Sequence, residues 1–254
     1  MDIFKLNSSR EFLKRDEKGR AYWKLVNEPV AINPSQSALL ICDMWNRHWA
    51  KGATLRAGEL APRLNKIASF FREKGLLIIH APSDTMDFYK GHPARERLLS
   101  SVSSMPASFK DDREITEVKE YPLPIDDSDE GSDTGEDKGE AKIVWVRENE
   151  KIDIDTEKDI IAGDEGDLIR AYLRFKGINR ILFAGVHTNM CILTWRTFGM
   201  VPMLRRGFQT ILLESYTDAM YNPGRPPYVS HDEGTRLVCS YIRKFYAPTS
   251  DFSV

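Results

Sequence analysis

Cys191 ends the turn GVHTNMC, which follows the apolar run ILFAG and leads into a helix-like stretch. At a helix N-terminus, unpaired N–H groups and the helix dipole favour a thiolate. The same N–H groups suit the oxyanion of an attacked carbonyl. Cys42 and Cys239 lie inside apolar runs and read as buried, inert thiols. Asp43 directly follows ALLIC. A carboxylate at the end of a buried strand must be paired, solvated or used. A cysteine nucleophile also needs a base or a positive neighbour. His187 is the nearest histidine in sequence. Lys151 and Lys158 both follow the strand-like KIVWVRE, and pattern alone does not choose between them.

The elements that must hold these residues alternate in type. SALLICDMW (Ser37 to Trp45), GLLIIHAPSD, KIVWVRE (Lys142 to Glu148), NRILFAGV and QTILLES read as strands. Leu60 to Lys74, Gly166 to Phe175, Met190 to Arg205 and His231 to Phe245 read as helices, with Gly75 and Gly177 as stops. This order predicts one α/β domain over residues 1–254, a three-layer α/β/α unit with a mostly parallel, Rossmann-like sheet. Functional residues then gather at the carboxyl edge of that sheet. Trp45, His48 and Trp49 follow Asp43, and Trp195 lies one helical turn beyond Cys191. Trp45, His48 and Trp195 are the expected substrate contacts. Arg147, Arg196 and Arg225 are candidates for binding a substrate carboxylate.

Two regions depart from the alternation. Residues 1–35 are polar without a periodic apolar segment and read as an arm that packs on the domain or serves an oligomer. Residues 86–140 read as an insertion ending in the acidic loop 126–140, DDSDEGSDTGEDKGE. That composition suits a solvated loop. Asp126, Ser128, Glu130, Gly131 and Asp137 only loosely echo a calcium loop, without its flanking helices. Asp84, His92 and His48 are scattered, so no metal and no other cofactor is expected. The 254 residues carry a net charge of -2 and are 41% hydrophobic, which gives no general pull toward nucleic acid or anionic membrane. No apolar run approaches membrane-span length, and three cysteines are too few and odd for a disulfide framework. A small-molecule substrate and a cytoplasmic setting are expected.

ALLICDMWN, GINRILFAGVHTNMC and QTILLESYTDAM, in this order, resemble the isochorismatase-like cysteine hydrolase superfamily, which includes nicotinamidases, N-carbamoylsarcosine amidase and ureidoacrylate amidohydrolase. The resemblance spans roughly residues 37–242. It implies an Asp–Lys–Cys triad with Asp43 as base, Cys191 as nucleophile and a lysine that steadies the charges. Counted back from Cys191, Lys158 lies about where amidase members carry theirs, which favours it over Lys151. Its surroundings, KDIIAGDEGD, depart from the aromatic-rich turn of the family. The resemblance also implies a cis peptide at Val186–His187 that aims the His187 and Cys191 N–H groups into one oxyanion hole. The implied activity is hydrolysis of a C–N bond in a small amide, carbamoyl or ureido compound through a thioester, by a homo-oligomer without cofactor. The alternatives are vinyl-ether hydrolysis of the isochorismatase type, which needs no cysteine, and an inactive binding or assembly module.

Overall fold

The computed structural model describes residues 2–131 and 142–254. Its regular elements are, in order, β1 (Phe4–Arg15), β2 (Ala21–Ile32), β3 (Ser37–Cys42), α1 (Lys51–Lys74), β4 (Leu77–Ala81), α2 (Pro93–Ser104), β5 (Ile160–Ile161), α3 (Gly166–Phe175), β6 (Arg180–Val186), α4 (Met200–Arg205), β7 (Gln209–Asp218), α5 (His231–Phe245) and β8 (Thr249–Ser250). Among the described residues the strands form one sheet of eight, ordered β2-β1-β8-β7-β6-β3-β4-β5. β3 to β8 run parallel, and β1 is antiparallel to both β2 and β8.

Every residue of β3 is buried, as a strand covered on both faces requires. Leu39 and Ile41 meet Leu64, Ile67 and Phe71 of α1 on one face. Ala38, Leu40 and Cys42 share the other face with Leu98 of α2, Tyr172 of α3, Val201 of α4 and Ile242 of α5. These are the three layers expected from the alternation. α2 falls within residues 86–140, so that stretch contributes to a helical layer as well as to loops.

Three expectations are corrected. Residues 1–35 are more than an arm packed on the domain: β1 and β2 make a hairpin that extends the sheet. Its turn is held by Asp16, whose carboxylate accepts the Lys18 and Arg20 N–H groups, and by Gly19 at φ 78°. Both faces of β2 are largely exposed, so no apolar alternation is needed to build it. KIVWVRE is not a sheet strand. It crosses beyond the carboxyl ends of the strands, where Arg147 accepts the Asn46 N–H and Met44 accepts that of Asn149. Ile160 and Ile161 instead pair with β4. The helix expected over Met190 to Arg205 is interrupted. Cys191–Trp195 forms a single π-helical turn, Arg196 is extended, and α4 starts afresh at Met200.

The acidic run begins on ordered contacts. Arg225 pairs with Asp126 and donates to Ser128. Asn189 donates to Asp127, and Asn222 to Asp129. Asp137, the last member of the suggested calcium loop, lies outside the described residues. No helix among the described residues is long and apolar enough to cross a membrane.

Candidate active site

β3 leads to β4 through α1 on one face of the sheet, and β6 leads to β7 through α4 on the other. The winding therefore reverses between β3 and β6, and the crevice beyond their carboxyl ends is the usual site position in an open α/β sheet. Cys42 pairs with Gly185 at that point. Gly185 has φ 105°, and a Cβ there would lie 2.1 Å from the Cys42 carbonyl oxygen. Only glycine allows so close an approach. Asp43 and the turn to Cys191 leave the sheet side by side as a result.

Asp43 is fully buried and itself adopts a positive φ of 45°. One carboxylate oxygen accepts the Ser83 N–H at 2.9 Å, and the other accepts Arg196 Nε at 2.7 Å. Asp43 also shares a hydrogen bond with the Cys191 thiol, and the His187 N–H points at the sulfur. Burial pushes the Asp43 carboxyl up, against the pull of Arg196. Burial and the Asp43 charge push the Cys191 thiol well above its ordinary range. The helix-end effect read from sequence does not prevail over burial and the Asp43 charge. The resting thiol is neutral, and Arg196 opposes the burial that favours protonation of Asp43.

Lys158 does not join this group. It precedes β5, at the amino edge of the sheet, where its ammonium is exposed and 3.6 Å from Asp155. It shares a surface hollow there with Pro34, Leu77 and Ile178. Lys151 donates to the Gly58 carbonyl of α1 instead. The cation beside Asp43 is Arg196, which also reaches Asp84 at 3.3 Å and Asp164 at 3.7 Å. The break in the expected helix makes this possible, because a continuous helix past Trp195 would not let residue 196 turn back over Cys191.

Cys191 and Arg196 line a cleft of about 320 Å³. Trp45, His48 and Trp195 line it too, joined by Trp49, Trp145, Met190 and Met220. Trp45 and Trp145 stack at 3.9 Å with planes 11° apart, and His48 lies against both. The Trp45 indole N–H is anchored on the Ser83 carbonyl. Trp195 is 62% exposed at the rim. Lys142 and Glu130 also line the cleft. The Val186–His187 peptide is cis. The His187 ring is buried edge-on to His48, and burial lowers it to about 3, so it is neutral.

No protein-family model and no curated protein matches this sequence. Solved structures do. A cysteine hydrolase from Pseudomonas syringae pv. phaseolicola superposes with a TM-score of 0.50 at 18% identity, over 86% of this chain and 90% of that one. The chain has an isochorismatase-like fold. An isochorismatase family protein from Burkholderia thailandensis gives 0.48 at 13% identity, covering 86% and 93%. N-carbamoylsarcosine amidase from Thermoplasma acidophilum gives 0.40 at 16%, covering 74% and 87%.

On this isochorismatase-like fold, Asp84, His92 and His48 serve separate ends. Asp84 faces Arg196, His92 caps α2, and His48 Nδ1 accepts the Ala50 N–H. Among the described residues no three His, Cys, Asp or Glu side chains gather as metal ligands. Arg147 pairs with Glu150 and Arg225 with Asp126, so of the three candidate arginines only Arg196 reaches the site. Trp145 was hidden in the run read as a strand. Arg196 was visible as a cation near Cys191, but its place depends on a helix break whose one sequence signal is Gly199, which caps α4 and packs on the Cys191, Leu193 and Arg196 carbonyls.

Proposed function

We propose that the chain is a cysteine hydrolase that cleaves a C–N bond of a small amide, carbamoyl or ureido compound. The observation that carries this reading is Arg196 Nε at 2.7 Å from the Asp43 carboxylate that bonds the Cys191 thiol, at the end of an aromatic cleft. Asp43 takes the thiol proton as Sγ attacks the substrate carbonyl. The transferred proton passes from Asp43 to the departing amine, and the acyl group remains on sulfur. Water then gives its proton to Asp43, attacks the thioester and releases the acid, and the proton returns to sulfur. A single carboxylate thus serves as base and acid in turn.

Arg196 takes the part that the family resemblance assigned to a lysine. It keeps Asp43 ionised in the resting state and favours the thiolate as the proton leaves. Backbone N–H groups of the turn, those of His187 and Cys191, receive the oxyanion. The stacked Trp45 and Trp145 and the rim Trp195 hold a flat, largely apolar acyl group.

The test is a panel of small aryl and alkyl amides, carbamoyl and ureido compounds, with ammonia or amine release measured. Rapid-quench mass spectrometry reads the acyl mass on Cys191. Turnover with a transient adduct, lost in Cys191→Ser, supports the reading. Vinyl-ether hydrolysis that survives Cys191→Ser, or amide turnover without an adduct, overturns it.

A further inference from the structure

β2 ends the sheet, and among the described residues no strand pairs with its outer side. The β1–β2 register runs unbroken from Phe4↔Ile32 to Arg15↔Ala21. In an antiparallel ladder, bonded and non-bonded pairs alternate. The Asp16 N–H donates to the Arg20 carbonyl, so even-numbered residues of β2 face β1. The Ser250 hydroxyl donates to the Asn7 carbonyl on the β8 side of β1, which sets the same parity. Ala21, Trp23, Leu25 and Asn27 therefore send their N–H and C=O groups outward. The Ala31 carbonyl is taken by Arg180, and Pro29 has a carbonyl but no donor.

We propose that β2 pairs antiparallel with β2 of a second copy of this chain, about a twofold axis through Val26. The bonded positions on both edges are odd-numbered, so the axis must pass through a residue, not between two. An axis through Lys24 sets lysine against lysine. Axes through Leu25 or Asn27 set Lys24 against Val26 or Val30. The axis through Val26 alone sets Lys24 against Glu28, twice over. It also places Tyr22 against Val30 and Val26 against itself on one face. On the other face Trp23 meets Pro29 and Leu25 meets Asn27. Every exposed apolar side chain of the edge except Leu25 gains an apolar neighbour. Lysine and proline commonly guard a strand edge against pairing. Here the lysine has a complement in Glu28 on the same strand, which converts that guard into a register key, while the Trp23–Pro29 pair keeps the one bond that the Trp23 N–H gives to the Pro29 carbonyl. The pairing is isologous and closes at two copies.

The test is sedimentation equilibrium on the full chain, from about 1 to about 100 µM, spanning the affinities of weak and moderate dimers. The parent chain is expected to dimerise. Lys24→Glu and Glu28→Lys each replace two attractive pairs by two like-charge pairs and should weaken the dimer roughly tenfold or more. Combining them restores opposite charges and should restore the affinity. Leu25→Pro removes an outward N–H without touching the β1–β2 ladder and should weaken the dimer as well. Thermal melts check that each variant is folded. A monomer throughout overturns the proposal, as does a dimer indifferent to both single charge reversals. The inference stands apart from the proposed activity, because β2 contributes nothing to the cleft.

Discussion

Two buried ionic clusters lie a few residues apart in this fold, and they differ in what one partner can do. In the first, Asp43 is bonded by Arg196 and by the Cys191 thiol, and the group opens on the cleft. In the second, His80 of β4 is fully buried between Glu148 at 2.8 Å and Asp159 at 3.1 Å, and Arg72 of α1 grips Asp159 at 2.6 Å. Both follow the rule that a buried charge must be paired. In the second cluster each imidazole nitrogen donates to its own carboxylate, and no member is a nucleophile beside a cavity. In the first, the proton shared by Asp43 and Cys191 has somewhere to go. Burial of charge marks both places. Arg72 of the second cluster also borders a surface hollow, so it is a nucleophile at the cavity that separates chemistry from support.

The sharpest way to break this distinction is to remove the first cluster's proton pair. Cys191→Ala and Asp43→Asn should each lower kcat/KM by at least about a thousandfold, and together cost little more than either alone. Alkylation by iodoacetamide, with Cys42 and Cys239 replaced, should separate their roles. Removing the Asp43 charge removes one cause that pushes the thiol up, so Asp43→Asn should ionise Cys191 at lower pH while abolishing turnover. A thiol that ionises at higher pH in Asp43→Asn would contradict the pairing.

The same operation on the second cluster should cost stability and leave chemistry alone. His80→Ala leaves Glu148 and Asp159 facing each other without their shared cation and should destabilise by about 3–5 kcal/mol. Urea unfolding measures this. Turnover per folded molecule should change by less than about threefold, since His80 does not line the cleft. A proportionate loss of activity would mean that the two clusters act as one.

The second cluster also sets a pH dependence. Burial alone would lower His80, but Glu148 and Asp159 outweigh it and push it up to about 9. The stabilisation is therefore complete below the unfolded imidazole value of about 6.5 and is lost as pH rises through about 9, a swing on the order of 3 kcal/mol. Asp159 works at the acid end. Burial would raise it, but His80 and Arg72 hold it lower, so its contribution is present above the ordinary carboxylate range and lost as pH falls. The difference between wild type and His80→Gln, followed by urea midpoint from about pH 6 to 10, should shrink toward zero at the alkaline end. A constant difference would place the His80 charge elsewhere.

The parts of the fold legible in the sequence are those where burial forces a pattern. The run ending in Cys42 is apolar because both of its faces are covered, and Gly166–Phe175 has its helical stripe because one side faces the sheet. Asp43 and Cys191 were legible because each stands where such a run stops. The β1–β2 hairpin was not, because an exposed ribbon needs no apolar code. KIVWVRE misled because its apolar residues cover a cleft, with Ile143 and Val146 outward, instead of joining the sheet. Lys158 misled because counting along the chain does not tell the two edges of a sheet apart.

Arg196→Lys gives the smallest effect and the finest test of the first cluster. Both residues are cationic, so a site that needs only a charge would accept either. Arg196 instead spends separate nitrogens on separate carboxylates: Nε on Asp43, Nη2 on Asp84 and Nη1 more distantly on Asp164. An ammonium is a point charge on a flexible stem and cannot hold that planar fork. Lysine should keep Asp43 ionised but let it move, costing roughly tenfold in kcat with little change in KM, whereas Arg196→Gln should lose about a hundredfold. If lysine matches arginine, the three-carboxylate grip is incidental and charge alone suffices. If lysine is as poor as glutamine, the orientation of Asp43 matters more than its charge.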